Sequence, residues 1–586
     1  MINLASNLLT GNPPMKAPAA PLRGQPRSVS RPSEAKARSR ARPVDGAVTN
    51  QRFLADPVVS LVAVVLALVL QRRALSDAFA PDDLILLEQA RGLLHWAPGP
   101  WRFFSGRGFW TLGTAVFDGH AQGWHVVVWS LHGAMVVALY SVARALGAGR
   151  LIAFASAAWF GTHRLLWDAL IPVSSVGEVL APLFTLTAVL VTIRARRAPD
   201  RFAAAALFAA GVLSKESIAL LPLAFVPGAS LVRRSRLVLA ALGVAGAGFL
   251  LWLWWSGQAP AGPAYVMAMG GNVITQLLTY TAASTDFFQP VPDLWAPGAM
   301  IHGAVALALL TLSAAWMWRR TRLPTIGLVG FILSLGPVLL LRDTRHLHYL
   351  YAPLAFLGLA LAGVAGALLD LWATATRASP GRLAPAAAGL GLLALLGLHV
   401  AHSEAAIRLR AAAVVPETGL PYDPLLRKMT VARNALSSLT PLLGADSVRL
   451  AILYPEAGSR KYSVNTGERV TSSASSHPYN IQAAVLDSGR ALSAIHPQIL
   501  ETRFAYQWRP EFDGWWMAIP YVDGGLEILG RGPQAHSRLL SSWYRAGFRR
   551  EVKAHLEAVV AGTSDTTLRS LALKALQQGP WTEAGR

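Results

Sequence analysis

The chain contains no cysteine. Disulfide staples, thiolate catalysis and cysteine-ligated zinc are therefore excluded. Charge is also scarce, with only 15% of the 586 residues being Asp, Glu, Lys or Arg. A soluble protein of this size carries about a quarter. Acids are the rarer sign: 32 Asp and Glu stand against 53 Lys and Arg, for a net charge of +21. Familiar catalytic signatures are missing as well. The sequence has no Walker-type phosphate loop, no GxSxG elbow, no HExxH and no dinucleotide fingerprint between a strand and a helix.

What is abundant is apolar, at 53% of the chain. Continuous apolar runs of roughly 18 to 25 residues recur, long enough to cross a hydrocarbon core of about 30 Å. They do not alternate in period two, which argues against a β-barrel. The pattern predicts an all-α multi-pass membrane protein. Candidate spans, about eleven in number, fall at 54–71, 123–144, 150–167, 174–194, 201–214, 216–233, 236–256, 298–318, 323–341, 346–372 and 383–401. The segments at 201–214 and 216–233 also read as a tight hairpin or a broken helix.

The surplus cations sort by loop. "ARALGAGR", "RARRAPDR", "RRSR", "WRRTR" and "RASPGR" lie in alternate turnarounds, as cytoplasmic loops do under the positive-inside rule. Residues 1–52 form a basic tail rich in Pro, Ala, Ser and Arg, expected to be disordered and cytoplasmic. They are too polar for a signal peptide. Residues 53–401 form the transmembrane domain. The loop at 72–122 and the turns at 163–175, 215–216, 257–297 and 342–348 then face outside, as does a domain at 402–586. In that domain "VRLAILYP" and "WWMAIPYV" read as strands, and "QAHSRLLSSWYRAGFRREVKAHLEAVVAG" reads as helix ending at Gly562. A small extracytoplasmic α/β domain is expected. The positive charge is thus topological; membrane lipids are the expected partner and nucleic acid is not.

Five stretches, in order, resemble one family, the integral-membrane glycosyltransferases of the GT-C type. The closest likeness is to bacterial relatives of the transmembrane O-mannosyltransferases that often carry tetratricopeptide repeats. "PDDLILLEQ" looks like the acidic motif of the first external loop. "WRFFSGRGFWTLGTAVFDGHAQGWHVVVWSLHGAMVVAL" is similar to an Arg-containing stretch followed by His-x₆-His, here Arg102, His125 and His132. "THRLLWDALIPVSSVGEVLAPLF" resembles a loop with His, an acid and a following Glu, here His163, Asp168 and Glu178. "LSKESIALLPL" carries Lys215 and Glu216, and "RHLHYLYAPLAF" carries Arg345, His346 and Tyr349. The resemblance covers approximately 54–370. Arg164, Pro172 and Val176 depart from the family pattern, and the tetratricopeptide tail is missing.

The resemblance implies inverting sugar transfer from a polyprenyl phosphate to an acceptor hydroxyl, with the acceptor being a protein, lipid or glycan. One carboxylate must take the acceptor proton while donors stabilise the departing phosphate. Asp82 or Asp83 would be the base. On a helix their side chains diverge by about 100°, so one faces the sugar and the other caps the helix. Lys215, Arg342, Arg345, His346 and Tyr349 would hold the phosphate. Arg102, His125, His132, His163, Asp168, Glu178 and Glu216 would line the cavity or acceptor cleft. The lipid-linked sugar is a substrate, and no resident cofactor or metal is implied.

Plainer readings stand beside these. Lys215 and Glu216 also read as a membrane-edge ion pair, and Arg342, Arg345, His346 and His348 as headgroup contacts. His125 and His132 lie two turns apart on one helix face and also suit interhelical hydrogen bonds. Trp96, Trp101 and Trp110 suit an interfacial loop. A transporter or flippase of lipid-linked glycans, and a non-catalytic membrane scaffold, are the competing functions.

Overall fold

The computed structural model describes residues 55–579, except 77, 98, 229–230, 258–265, 287–288, 290–291, 295, 297, 343, 377–382, 417, 443, 445–446, 456–485 and 522. The basic tail predicted at 1–52 lies outside the described residues. The described residues form one compact unit.

The structure is mostly helical. Among the described residues, eight helices are long and apolar enough to cross a bilayer, which marks a membrane-embedded protein. They comprise α1 (Ala55–Leu70), α4 (Ala121–Ala145), α7 (Val176–Arg194), α9 (Arg233–Trp255), α11 (Ala299–Met317), α12 (Leu323–Leu335), α13 (Tyr351–Thr376) and α14 (Leu383–Ala412), with short 3₁₀ extensions on some. Leu251, Ile301, Leu309, Trp316, Leu390 and Leu398 are exposed on these helices. Such a surface suits lipid and would aggregate in water.

Three predicted spans are not among these eight. Helix α5 (Arg150–Gly161) has 12 residues and α8 (Ala198–Val212) has 15. The chain at 216–225 forms two 3₁₀ turns, Glu216–Ile218 and Leu221–Phe225. Helix α5 stops where Arg164 turns aside to donate to the carbonyls of Asp286 and Gln289. The broken segment at 216–225 survives because protein covers it: Ile218, Ala219, Leu221, Ala224 and Phe225 are fully buried. Irregular backbone at membrane depth requires that cover.

Close helix packing explains several glycines. A Cβ on Gly327 of α12 would meet Ala360 N at 2.4 Å and Phe356 O at 2.6 Å. The α12–α13 backbones touch there, as small residues permit in membranes. At one end of the bundle Asp56 takes hydrogen bonds from Tyr140 and Arg150 and pairs with Arg144. The polar groups described below gather at the other end.

At that second end lie α2 (Pro81–Ala90), α3 (Phe109–Phe117), the one-turn α6 (Trp167–Leu170) and α10 (Gly271–Thr285). Trp110 and Trp101 are not simple interfacial aromatics. Trp110 is fully buried and stacks on Trp124 with centroids 4.5 Å apart, and Trp101 Nε1 donates to Glu216.

The C-terminal region holds α15 (Pro424–Ser437) and a four-stranded sheet in the order β2-β1-β3-β4. Strand β1 (Val448–Leu453) runs parallel to β2 (Ile499–Ala505) and to β3 (Trp516–Pro520); β4 (Leu526–Gly530) is antiparallel to β3. Both quoted strand motifs thus form strands. The long helical motif divides into α17 (Pro533–Arg545) and α18 (Arg549–Gly562), followed by α19 (Thr566–Gln578). Gly547 adopts φ +86° between them, a left-handed turn suited to glycine. A short helix, α16 (Arg490–Ile495), precedes β2 and packs with Leu84 and Leu87 of α2 in one hydrophobic core.

Candidate active site

Helix α2 begins with Pro81, whose missing N–H costs nothing in a first turn. Asp83 Oδ2 accepts the Ala80 N–H at 2.8 Å, closing that turn. The same carboxylate accepts N–H bonds from Val173 (3.2 Å) and Ser174 (2.6 Å). It is fully buried. Burial pushes its pKa up to about 6, against the pull of those hydrogen bonds. Asp83 therefore anchors α2 to the turn that leads into α7. Asp82, one position earlier, is exposed, and its carboxylate takes no hydrogen bond from any described residue.

Asp82 rims a polar pocket of about 390 Å³. Glu178, Lys215, His346, His348, Tyr349 and Arg102 line the same space. Five separate segments therefore meet: α2, the loop before α3, the start of α7, the break after α8, and the segment before α13. Gly177 makes that meeting possible, because a Cβ there would lie 3.0 Å from Ser214 O and 3.1 Å from Ser105 Oγ.

The cations in the pocket are held by acids. Lys215 Nζ lies 2.8 Å from Glu178 Oε1 and is nearly buried. Its ammonium also sits over the Tyr349 ring at 5.3 Å. Arg102 grips Glu216 with two bonds, Nε to Oε2 at 3.2 Å and Nη2 to Oε1 at 2.7 Å. Arg102 has φ +51°, a conformation that costs a non-glycine residue on the order of 1 kcal/mol. His346 and His348 stack with centroids 5.1 Å apart.

A second, apolar chamber of about 300 Å³ adjoins this pocket. Leu220, Leu250, Leu253, Trp254 and Val338 form much of its wall, and it shares Arg102, Lys215 and Tyr349 with the polar pocket. Glu216 lines the apolar side. A charged head beside a greasy channel is the profile of an amphipathic ligand.

The remaining predicted residues lie elsewhere. His125 Nε2 bonds the Ala78 carbonyl at 3.0 Å. His132 bridges helices, with Nδ1 2.8 Å from Tyr351 Oη and Nε2 3.1 Å from the Gly161 carbonyl. His163 is buried against Trp159 and His399. Asp168 is clamped by Arg410, with its oxygens 2.8 and 3.0 Å from the guanidinium. These four take part in packing and do not line the polar pocket. Arg345 Nη1 donates to the Leu294 carbonyl at 2.6 Å, and the backbone N–H of Arg342 donates to Val266 O; neither lines the pocket. Ser105, Ser174 and Gln89, which do line it, fall inside the quoted motifs but carried no signal of their own. Among the described residues no cluster of His, Asp and Glu is arranged to hold a metal ion.

No protein-family model matches the chain, and no curated protein matches it.

Proposed function

We propose that this chain is an inverting glycosyltransferase of the GT-C type. It moves a sugar from a polyprenyl-phosphate donor to an acceptor hydroxyl on the outer face of the cytoplasmic membrane. One observation carries the reading: the polar pocket with its open carboxylate joins an apolar chamber through Arg102, Lys215 and Tyr349. The lipid chain enters the chamber, and its phosphate meets Lys215 and Arg102 at the junction. The sugar then extends toward Asp82.

Asp82 is the base. The acceptor oxygen forms a bond to the anomeric carbon as the bond from that carbon to the phosphate oxygen breaks. The electron pair leaves with the phosphate, and the acceptor proton passes to Asp82. Lys215 and Arg102 stabilise the charge gathering on the leaving phosphate. Glu178 and Glu216 keep both cations ordered before the donor arrives. His346 and Tyr349 complete the phosphate side.

The test is turnover of polyprenyl-phosphate mannose and polyprenyl-phosphate glucose by purified protein in lipid vesicles, with release of polyprenyl phosphate measured. Asp82→Asn should lower release at least 100-fold while the melting temperature stays unchanged. Equal release by Asp82→Asn and the unaltered protein would remove Asp82 as base. Movement of intact donor across the vesicle wall without sugar release would favour a flippase.

A further inference from the structure

Helix α2 carries a buried carboxyl that the proposed chemistry does not use. Asp82, Ile85, Leu86 and Gln89 line the polar pocket at helical spacing. Leu84, Leu87 and Glu88 turn the other way and are fully buried. Leu84 and Leu87 share a core with Ala491 and Leu492 of α16. Glu88 meets Arg490 and Asp487 on the same side.

Neither oxygen of Glu88 has a hydrogen-bond partner among the described residues. Arg490 Nε stays 3.7 Å from Glu88 Oε2, too far for a hydrogen bond. That guanidinium is committed to Asp487 Oδ2, at 2.9 and 2.6 Å. Glu88 and Asp487 are thus two carboxyls facing each other with no donor between them. An ionised carboxylate only accepts, so the missing hydrogen is a proton on one of the two. Burial, and after it the Asp487 charge, push the Glu88 carboxyl up to about 8, against the pull of Arg490. Other charges near α2 are engaged elsewhere. Arg91 pairs with Asp118 and faces His496, Asp83 binds backbone N–H groups, and Lys428 of α15 acts on His346.

The turn bearing Asp487 is fixed to the sheet. A Cβ on Gly489 would lie 2.6 Å from Thr502 Cβ of β2. Asp487 and Ser488 have φ +45° and +56°, a conformation non-glycine residues keep only when their surroundings hold them there.

We propose that Glu88 and Asp487 share one proton and so form a pH-sensitive latch between α2 and the C-terminal sheet region. With the proton, Glu88 donates to Asp487 and α2 is held from behind. Without it, two carboxylates repel in a buried site and the contact opens. The closed state keeps the proton up to about pH 8, whereas an exposed glutamate loses it above about 4.3. Closing therefore takes up a proton between those values, and opening rises with pH across that window. The latch acts on α2 whatever the pocket holds, so it does not rest on the glycosyl-transfer reading.

Hydrogen exchange of the full chain in lipid nanodiscs, corrected for its intrinsic rate, tests it. Opening at 84–90 and 490–495 should rise up to about tenfold per pH unit between pH 5 and 8. Glu88→Gln, whose amide donates to Asp487 at every pH, should make that opening flat. Asp487→Asn, at the solvent edge of the pair, removes the repelling charge, so the rise should level off at a lower pH; this variant still reads the latch if Glu88→Gln does not fold. A flat profile in the unaltered chain, or the full rise retained in Glu88→Gln, would overturn the proposal. So would an Asp487→Asn profile identical to that of the unaltered chain.

Discussion

A carboxylate acts as a base only if its lone pairs are open to the proton it must take. That criterion separates Asp82 from Asp83. Asp83 spends its oxygens on three backbone N–H groups, whereas Asp82 faces the pocket unencumbered. The adjacent pair was legible in the sequence, and so was the expectation that one of the two holds the start of the helix. Which of the two does so was not, because that depends on where the turn at 173–174 lies, some ninety positions away. Asp83→Asn puts an amide against N–H groups and leaves one of them unpaired. We expect it to cost about 1–3 kcal/mol, read as a lowered melting temperature in detergent, whereas Asp82→Asn melts normally and fails only in turnover. At Arg102 the two-pronged grip on Glu216 is a guanidinium property. Arg102→Lys keeps the charge and loses the grip, and should lower kcat roughly tenfold, as expected when an interaction that strengthens in the transition state is weakened. A rise in donor KM at unchanged kcat would instead confine Arg102 to binding that ground and transition states share.

Among elements, apolar run length decided what could be read in advance. The eight long helices were visible because each must carry its own unbroken hydrophobic stretch. The break at 216–225 was legible only as an alternative to a full span, because its backbone is protected by neighbours and not by local pattern. Which helices touch tightly is silent in the sequence until the glycines are placed. Gly327→Leu would drive a side chain into the α13 backbone at Ala360. Overpacking of that kind costs typically 1–3 kcal/mol, so folded yield from membranes and melting temperature should both fall; an unchanged melt would mean that α12 and α13 can part without penalty. In the C-terminal sheet domain, α17 and α18 meet through His536 Nδ1 and His555 Nε2, 2.9 Å apart and buried. Burial lowers their pKa values to about 4 and about 3. In the unfolded chain a histidine titrates near 6.5, so as pH falls below that the unfolded state gains protons that the fold refuses. Stability contributed by the pair is full above pH 6.5 and declines toward pH 4. Hydrogen exchange at 533–562 should accelerate over that window, and His555→Phe should flatten the dependence. Exchange that is independent of pH after correction for its intrinsic rate would contradict the burial of neutral imidazoles.

For the whole molecule, the question is how the C-terminal sheet region stays fixed to the membrane helices. Arg410, at the end of α14, binds Asp168 in the bundle and Asp423 at the start of α15. Asp423 Oδ1 meanwhile caps α15 through the N–H groups of Leu425 and Leu426. One guanidinium thus joins the membrane helices to the domain whose α16 packs against α2, the helix carrying Asp82. Spacing gave no hint of this, since 242 positions separate Asp168 from Arg410; the sequence suggested a cleft residue, and the structure shows a clamp. Arg410 is nearly buried with Asp423. Removing it strands two carboxylates in a low-dielectric site, and breaking a buried pair in this way costs about 3–5 kcal/mol. Arg410→Met should therefore melt earlier and expose 413–430 to protease. Asp168→Asn together with Asp423→Asn in the same background leaves neutral amides and should recover much of the loss. If the helices and the sheet domain remain docked in Arg410→Met, with unchanged protection at 413–430 and 490–495, then the apolar contacts between α2 and α16 hold the domain and the clamp is dispensable.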